Sequence, residues 1–253
     1  MALKLTTKLR NQILSGEDLR RIFEDAVINI YSGAAPATAD LAATGTRLVT
    51  VSKASQAVSA GEVSVAKEAK LQVTSHAGAD IFTATINSVA YTFTNTPDAG
   101  TVIDVARAWA AVIDAQCPDV DAMASGTDTI YIRSKYKGVT FTITKSGTGT
   151  STLTDDTTTN VLSDTIRFGA AVDGVISKAA ETWSGIADAN GVAGYFRIQN
   201  SADTGVDDTS AKIFPRIQGS CGVSGTEMTL SNTTITSGAI QTIDTATITM
   251  PAS

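Results

Sequence analysis

The chain has 253 residues, of which 43% are hydrophobic and 17% are charged, and its net charge is −6. It is too apolar and too weakly charged for a disordered chain, and its length suits one large or two modest domains. Its basic residues are dispersed and no apolar run approaches about 18 residues, so neither nucleic-acid binding nor a membrane span is expected. About forty threonines favour β-sheet, because a β-branched side chain fits a pleated, half-exposed surface.

Residues 1–26 are expected to form a short helical N-terminal arm. Leu5, Leu9 and Ile13 recur every four residues and make one apolar stripe. Ser15 is expected to cap a second short helix. Helices of this length need a partner surface to persist, so we expect Leu5, Leu9 and Ile13 to dock on a neighbouring subunit. The alternative is that both helices pack on the chain's own β-domain.

Residues 27–66 and 166–253 share a pattern of strands separated by turns rich in Gly, Asp, Asn and Ser. Strands are predicted at 27–31, 47–52, 192–199, 211–218, 226–230 and 246–250. Turns at this spacing are typical of a sandwich or a barrel-like sheet. The two segments are therefore predicted to form one discontinuous β-sandwich.

Residues 67–165 are predicted to be an inserted α+β module. Strands at 82–86 and 89–93 flank the two-residue turn Asn87-Ser88, and this pattern predicts a β-hairpin. Further strands are predicted at 120–124, 129–133 and 139–144, and 146–159 is expected to be a mobile tip or exit linker. An insertion of this kind suits a surface loop whose ends lie close together.

The helix of this module is predicted to start after Thr101, which can cap it with Asp104 as the partner. Trp109 lies on its apolar stripe. The helix is expected to end at Cys117, because the residue before Pro118 avoids the α region. The fold class is thus mainly β: a discontinuous β-sandwich, an inserted α+β module and a short helical N-terminal segment.

Residues that could carry catalysis or bind a metal do not form a recognisable arrangement. His76 is the only histidine, and Cys117 and Cys221 have neither a metal-site nor a CxxC spacing, so both thiols are expected to be reduced. Asp203-Thr204-Gly205 and Asp208-Thr209-Ser210 are like the tripeptides of aspartic proteases, but two so close together cannot supply two facing lobes. We therefore predict no catalytic residue, no cofactor and no metal site.

Three aromatic residues of the last segment are candidate anchors. Trp183 lies near a turn and could be a subunit-interface anchor, since exposed aromatic residues concentrate interface energy; the alternative is a plug over one end of the sandwich. Tyr195 and Phe196 are adjacent on a predicted strand, so their side chains point to opposite faces. We expect one of them in the core and the other facing solvent, the inserted module or a neighbour.

A set of strand and turn segments carries a resemblance to a known class of proteins. These segments are 3–7, 9–11, 28–33, 36–40, 43–45, 191–198, 219–225 and 235–251. Together they resemble a recurrent type of tailed-bacteriophage and prophage structural protein. The middle segment resembles small α+β modules inserted in phage tail and capsid-surface proteins.

The resemblance implies a non-enzymatic subunit of a virion, associated with the tail or the head–tail junction and present in multiple symmetric copies. Its partners would be copies of itself and other virion proteins, with neither nucleic acid nor membrane among them. The protein would be made in the host cytoplasm, because no signal-peptide pattern is present, and would reside in the virion. Alternatives are a capsid decoration protein, a host-surface-binding fibre or spike module, and a particle-borne enzyme.

Overall fold

The computed structural model describes residues 3–59, 64–156 and 163–249. The chain is mainly β, with 42% strand and 11% helix, and the described ranges contain three helices. In chain order the elements are β1 (Lys4–Leu5), α1 (Thr7–Leu14), α2 (Leu19–Ile22), β2 (Ala26–Ser32), β3 (Arg47–Lys53), β4 (Glu68–Ser75), β5 (Ile81–Ile86), β6 (Val89–Thr94), α3 (Val102–Gln116), β7 (Val120–Ser125), β8 (Thr129–Ser134), β9 (Ile143–Gly147), β10 (Thr150–Asp156), β11 (Val175–Ser177), β12 (Trp183–Ile186), β13 (Gly191–Asn200), β14 (Arg216–Gly222), β15 (Met228–Thr229), β16 (Thr234–Ile235), β17 (Ile240–Ile243) and β18 (Thr247–Thr249).

The chain divides into two compact units. Unit 1 comprises Met1–Val63 and Ser163–Ser253, and unit 2 comprises Ser64–Leu162. The predicted segment limits at 67 and 166 lie a few residues further along the chain. None of the described helices is long and apolar enough to cross a membrane.

Unit 1 is built on a nine-stranded sheet. Its strands follow the order β1-β14-β13-β2-β3-β12-β17, with β15 also paired to β14 and β16 to β13. One face carries the apolar core, because alternate residues of β2, β13 and β14 point to the same side. This core includes Ile28, Phe196, Ile198 and Ile217.

The strand predictions in unit 1 are partly wrong. The strand at 192–199 is confirmed as part of β13, whereas the one at 211–218 begins only at Arg216, since residues 212–215 have no regular secondary structure. β12 and β17, which the sequence did not indicate, are short strands paired with each other. Residue 250, the end of the last predicted strand, lies outside the described residues.

The N-terminal segment belongs to unit 1. β1 pairs with β14 in antiparallel register. The Thr6 side chain caps α1 by accepting the Leu9 N–H, and the Asp18 side chain caps α2 by accepting the Arg20 N–H. The prediction that Ser15 caps the second helix is wrong, because Ser15 instead ends α1.

Unit 2 combines two sheets and one helix. The sheets have the orders β10-β4-β8-β7 and β6-β5-β9, and Trp109 of α3 is fully buried in the core between these elements. The predicted hairpin is confirmed, with Asn87 and Ser88 at φ values of 47° and 69°. The predicted cap at Thr101 and the helix end at Cys117 are confirmed as well.

Two predictions for unit 2 are wrong. The sequence indicated a mobile tip at 146–159, but Thr150–Asp156 forms β10, which pairs with β4. Threonine-rich polar strands of this kind lack a local apolar pattern, and their pairing partner lies far away in the sequence. The strand predicted at 139–144 is displaced to Ile143–Gly147. Residues 157–159 of the predicted tip lie outside the described residues.

Candidate functional site

The predicted interface residues lie in or against the core of unit 1. Leu9 and Trp183 are fully buried, and Leu5 and Ile13 pack against the same cluster. The Trp183 ring meets Phe168 edge to face at 5.2 Å. Trp183 is therefore not an exposed anchor, and Leu9 packs on the chain's own domain, as the alternative for the N-terminal helices describes. Contact of the partly buried Leu5 and Ile13 with a neighbouring subunit stays a prediction.

The opposite face of the nine-stranded sheet is polar, and a repeated tripeptide explains why. β13 contains Arg197-Ile198-Gln199 and β14 contains Arg216-Ile217-Gln218. In the antiparallel register each arginine lies opposite the glutamine of the other strand, and the two isoleucines face each other. Because neighbouring residues alternate between faces, the isoleucines enter the apolar core while the arginines and glutamines share the other side.

Arg216 forms the centre of this face. Its Nε and Nη2 donate to Asp203 Oδ2 and Oδ1 at 2.5 and 2.8 Å, and both side chains are fully buried. Its other N–H groups donate to carbonyl oxygens of Ala39, Asp40 and Val206 at 3.2, 3.5 and 2.8 Å. A buried charge is tolerated only when it is paired and hydrogen-bonded, and this bidentate pair meets both conditions.

Arg197 and Gln218 extend these contacts to the covering loop, which is residues 33–46. Arg197 donates through Nε to Gln218 Oε1 and through Nη2 to Leu41 O, both at 2.9 Å. Gln218 Nε2 donates to Pro36 O at 3.0 Å. We call Arg197, Gln199, Asp203, Arg216 and Gln218 the polar cluster; it binds the covering loop at several main-chain carbonyls.

Tyr195 fixes the far end of the covering loop. Its hydroxyl donates to Thr44 O at 2.6 Å and accepts the Thr44 N–H at 2.8 Å. Its ring stacks on Tyr31 with a centroid distance of 4.9 Å. Tyr195 and Phe196 are both buried, so the expectation that one of them faces solvent, the inserted module or a neighbour is wrong: the chain's own loop covers the second face.

A groove of about 480 Å³ lies beside the polar cluster. Its walls include Asn29, Thr50 and Asp203, together with Arg47 and Asp188, which form an exposed ion pair at 3.4 Å. Burial lowers the pKa of Arg197, and the nearby Arg216 charge adds to this effect.

The cluster also contains two unpaired atoms. Among the described residues, buried Arg197 Nη1 and Gln199 Oε1 have no hydrogen-bond partner. A donor and an acceptor two positions apart on one strand face suit a bridging water molecule.

The acidic residues considered for catalysis have structural partners instead. Asp203 neutralises Arg216, and Asp208 accepts the N–H groups of Ile213 and Phe214 at 3.0 and 2.9 Å. His76 Nδ1 lies 3.3 Å from an Asp98 carboxylate oxygen. Within the described residues no group of three or more His, Cys, Asp or Glu side chains could hold a metal ion.

Both cysteines are free, as the sequence predicted, and both are buried. Burial raises the pKa of Cys221 to about 12, with the Glu227 charge as a smaller cause. A thiol with this pKa is protonated at neutral pH and is a poor nucleophile.

Sequence reasoning did not identify the polar cluster. The signal that could have revealed it is the repeated Arg-Ile-Gln, which places a charged residue and an amide at the same spacing on two predicted strands. No protein-family model matches the chain, and the search of curated proteins found no similar sequence.

Proposed function

We propose that this chain is a non-enzymatic structural subunit of a tailed-phage virion, associated with the tail or the head–tail junction and assembling in multiple symmetric copies. In this proposal unit 1 is a discontinuous β-sandwich and unit 2 is an α+β module inserted in one of its loops. The observation that carries the proposal is the spatial arrangement of the segments that resemble phage structural proteins.

Those segments are scattered along the sequence, but six of the eight lie together in unit 1. Segments 3–7, 28–33, 191–198 and 219–225 fall on or beside β1, β2, β13 and β14, which are consecutive in the sheet order β1-β14-β13-β2. Segments 36–40 and 43–45 form the covering loop over the polar face of these strands. Six of the eight segments therefore lie in one structural element, while 9–11 lies in α1 and 235–249 reaches β17 and β18. This grouping favours a shared architecture over a coincidence of strand and turn patterns.

The contacts of this element favour a structural role. Arg197, Arg216 and Asp203 are among its buried charged groups, and they hold a loop without regular secondary structure to the sheet. A surface loop is normally mobile. A subunit that meets symmetric copies needs surfaces of fixed shape, and a loop bound at Pro36, Leu41 and Thr44 provides one.

The strand pairing in unit 2 supports its description as an insertion. β4 and β10, its first and last strands, are antiparallel neighbours with Glu68 opposite Asp156. Lys67 Nζ also lies 2.9 Å from an Asp155 carboxylate oxygen, next to this pair. The first and last described strands of the unit thus lie side by side, which is compatible with a module inserted into a single loop.

Electron microscopy of tagged particles tests the proposal. A short tag is inserted after Gly126, in the exposed β7–β8 turn, where nothing lies within 4 Å of an added Cβ. Gold labelling of particles from the phage or prophage that carries the gene should mark the tail or the head–tail junction, while untagged particles stay unlabelled. Label on the capsid surface or on fibres would favour the decoration or the host-binding alternative. Purified particles that lack the chain would contradict the proposal.

A further inference from the structure

The outer edge of β17 borders an open groove. β17 is the last strand on one side of the nine-stranded sheet. A groove of about 400 Å³ runs along it, with 239–242 and Asp244 on one wall and residues from 230 to 236 on the other. We call it the β17 groove. Nearly consecutive residues of an edge strand line it, so its shape suits an extended chain.

The pairing of β17 with β12 shows which main-chain groups face this groove. Ile186 lies opposite Ile240 and Ser184 opposite Thr242, and the Ala187 N–H donates to Ala239 O at 2.9 Å. In an antiparallel ladder the hydrogen-bonded pairs alternate with non-hydrogen-bonded ones. Ile240 and Thr242 are therefore in non-hydrogen-bonded pairs, and their N–H and C=O groups point outward, where another strand could bind.

This edge is short, at four residues, but it lacks the side chains that protect edge strands from pairing. Natural edges carry lysine, proline or bulges that oppose the addition of a strand. Residues 230–249 contain no lysine, arginine or proline, and Asp244 is their only charged residue. Ile186 and Ile240 are cross-strand neighbours that are 53% and 64% exposed, so an apolar contact lies beside the free main-chain groups.

The opposite edge of the same sheet has the complementary charge. There β1 is the last strand and α1 follows it. Residues 1–14 contain three basic residues, Lys4, Lys8 and Arg10, and no acidic one. Leu14 at 86% and Leu3 at 40% exposure add apolar surface. The Asp40 carboxylate, which accepts the Thr7 N–H at 3.0 Å, offsets one of these positive charges. The β1 edge thus keeps a net positive charge and the β17 edge is weakly acidic, and both have exposed apolar side chains nearby.

We propose that the β17 groove receives the β1 edge of a second copy of this chain, so that the nine-stranded sheets continue from copy to copy. The contact is head-to-tail and generates a ring if the rotation closes, or a filament if it does not. This inference rests on the proposed function for the biological use of the contact. The self-association itself is a property of the isolated protein and can be tested without particles.

Substitution of Thr242 by proline tests the main-chain part of the contact. Proline is tolerated on an edge strand where its missing N–H faces outward, so Thr242→Pro should preserve the β12–β17 pairing while it removes a donor from the groove. Thr242→Ala is the matched control because it keeps that N–H. Sedimentation velocity over a range of protein concentrations should show self-association of the wild type and of Thr242→Ala, and at least a tenfold weaker association of Thr242→Pro.

Charge reversal provides a second test that does not depend on the proline variant folding. The double variant Lys8→Glu/Arg10→Glu should weaken the self-association, and so should Asp244→Lys. A chain that carries all three substitutions should regain part of the lost affinity, because the charges at the contact are again opposite. Added salt should weaken the wild-type contact, because exposed charges are screened. Circular dichroism of each variant verifies the fold.

A wild-type chain that stays monomeric at all concentrations would overturn this inference, as would unchanged association of a folded Thr242→Pro. If Thr242→Pro does not fold, unchanged association of the charge-reversal variants overturns it instead. Failure of the proposed function is a separate result. It would appear as absence of the chain from virions, whether or not the purified protein self-associates.

Discussion

Replacing Asp203 by asparagine tests whether the buried ion pair stabilises unit 1. The change keeps the size of the side chain but removes the negative charge that faces Arg216, and both side chains are fully buried. Removing one partner of a buried pair costs about 3–5 kcal/mol, because the other charge stays buried without compensation. We expect Asp203→Asn to lower the free energy of unfolding of unit 1 by that amount.

A double substitution separates the ion pair from the loop contacts. Arg216 also donates to three carbonyl oxygens, those of Ala39, Asp40 and Val206. At about 1 kcal/mol for each bond, these contacts amount to about 3 kcal/mol. The double variant Asp203→Leu/Arg216→Met should therefore lower the free energy of unfolding by about as much as the three carbonyl contacts contribute. This loss should be smaller than the summed losses of the two single variants, since substitutions of residues in contact are not additive.

Urea unfolding measured by tryptophan fluorescence is the assay. Trp183 lies in unit 1 and Trp109 in unit 2, so a Trp109→Phe background makes the signal specific for unit 1. With a slope of about 2 kcal/mol per molar urea, a loss of about 4 kcal/mol moves the midpoint by about 2 M.

An exposed ion pair provides the control. Arg47 and Asp188 are 3.4 Å apart and more than half exposed, so Asp188→Asn should cost less than about 1 kcal/mol. If the midpoint for Asp203→Asn shifts no more than that for Asp188→Asn, the buried pair does not stabilise the unit and the reasoning fails.

Three further predictions concern the N-terminus, unit 2 and the effect of acid. Deletion of residues 1–24 removes the buried side chain of Leu9 and β1, one of the strands paired with β14, so the truncated chain should aggregate on expression; a soluble product with native circular dichroism would refute this. The fragment 64–162 should unfold cooperatively on heating, and Trp109→Ala should destabilise it by about 3–5 kcal/mol, whereas a flat melting curve would contradict its independence. Hydrogen bonds from the Ser220 hydroxyl and N–H lower the pKa of Glu227 to about 2, so its stabilising effect is present above pH 4.5 and is lost as the pH falls towards 2. Between pH 4.5 and 2, the free energy of unfolding of Glu227→Gln should fall less than that of the wild type in acid titrations followed by fluorescence. Equal losses would show that the Glu227 carboxylate does not cause the acid destabilisation.

The sequence by itself determined the elements whose cause is local. The β5–β6 hairpin follows from two alternating runs around Asn87-Ser88, which adopt the positive φ that such a turn needs. Helix α3 follows from its cap at Thr101 and its end before Pro118, because both signals act within one turn of the helix. The mainly β composition likewise follows from the abundance of threonine.

The tertiary structure alone decided how distant segments combine. Leu5, Leu9 and Ile13 looked like a single helical stripe, but Leu5 pairs with β14 in a sheet and Leu9 enters the core. Threonine-rich β10 is a strand only because β4, about eighty residues earlier, offers an edge. Charged residues on one face of a strand ordinarily indicate a solvent-exposed face. Arg197 and Arg216 are instead buried, because the covering loop supplies carbonyl groups and Asp203 supplies a charge. These outcomes depend on contacts between residues far apart in the sequence, so no local sequence pattern predicts them.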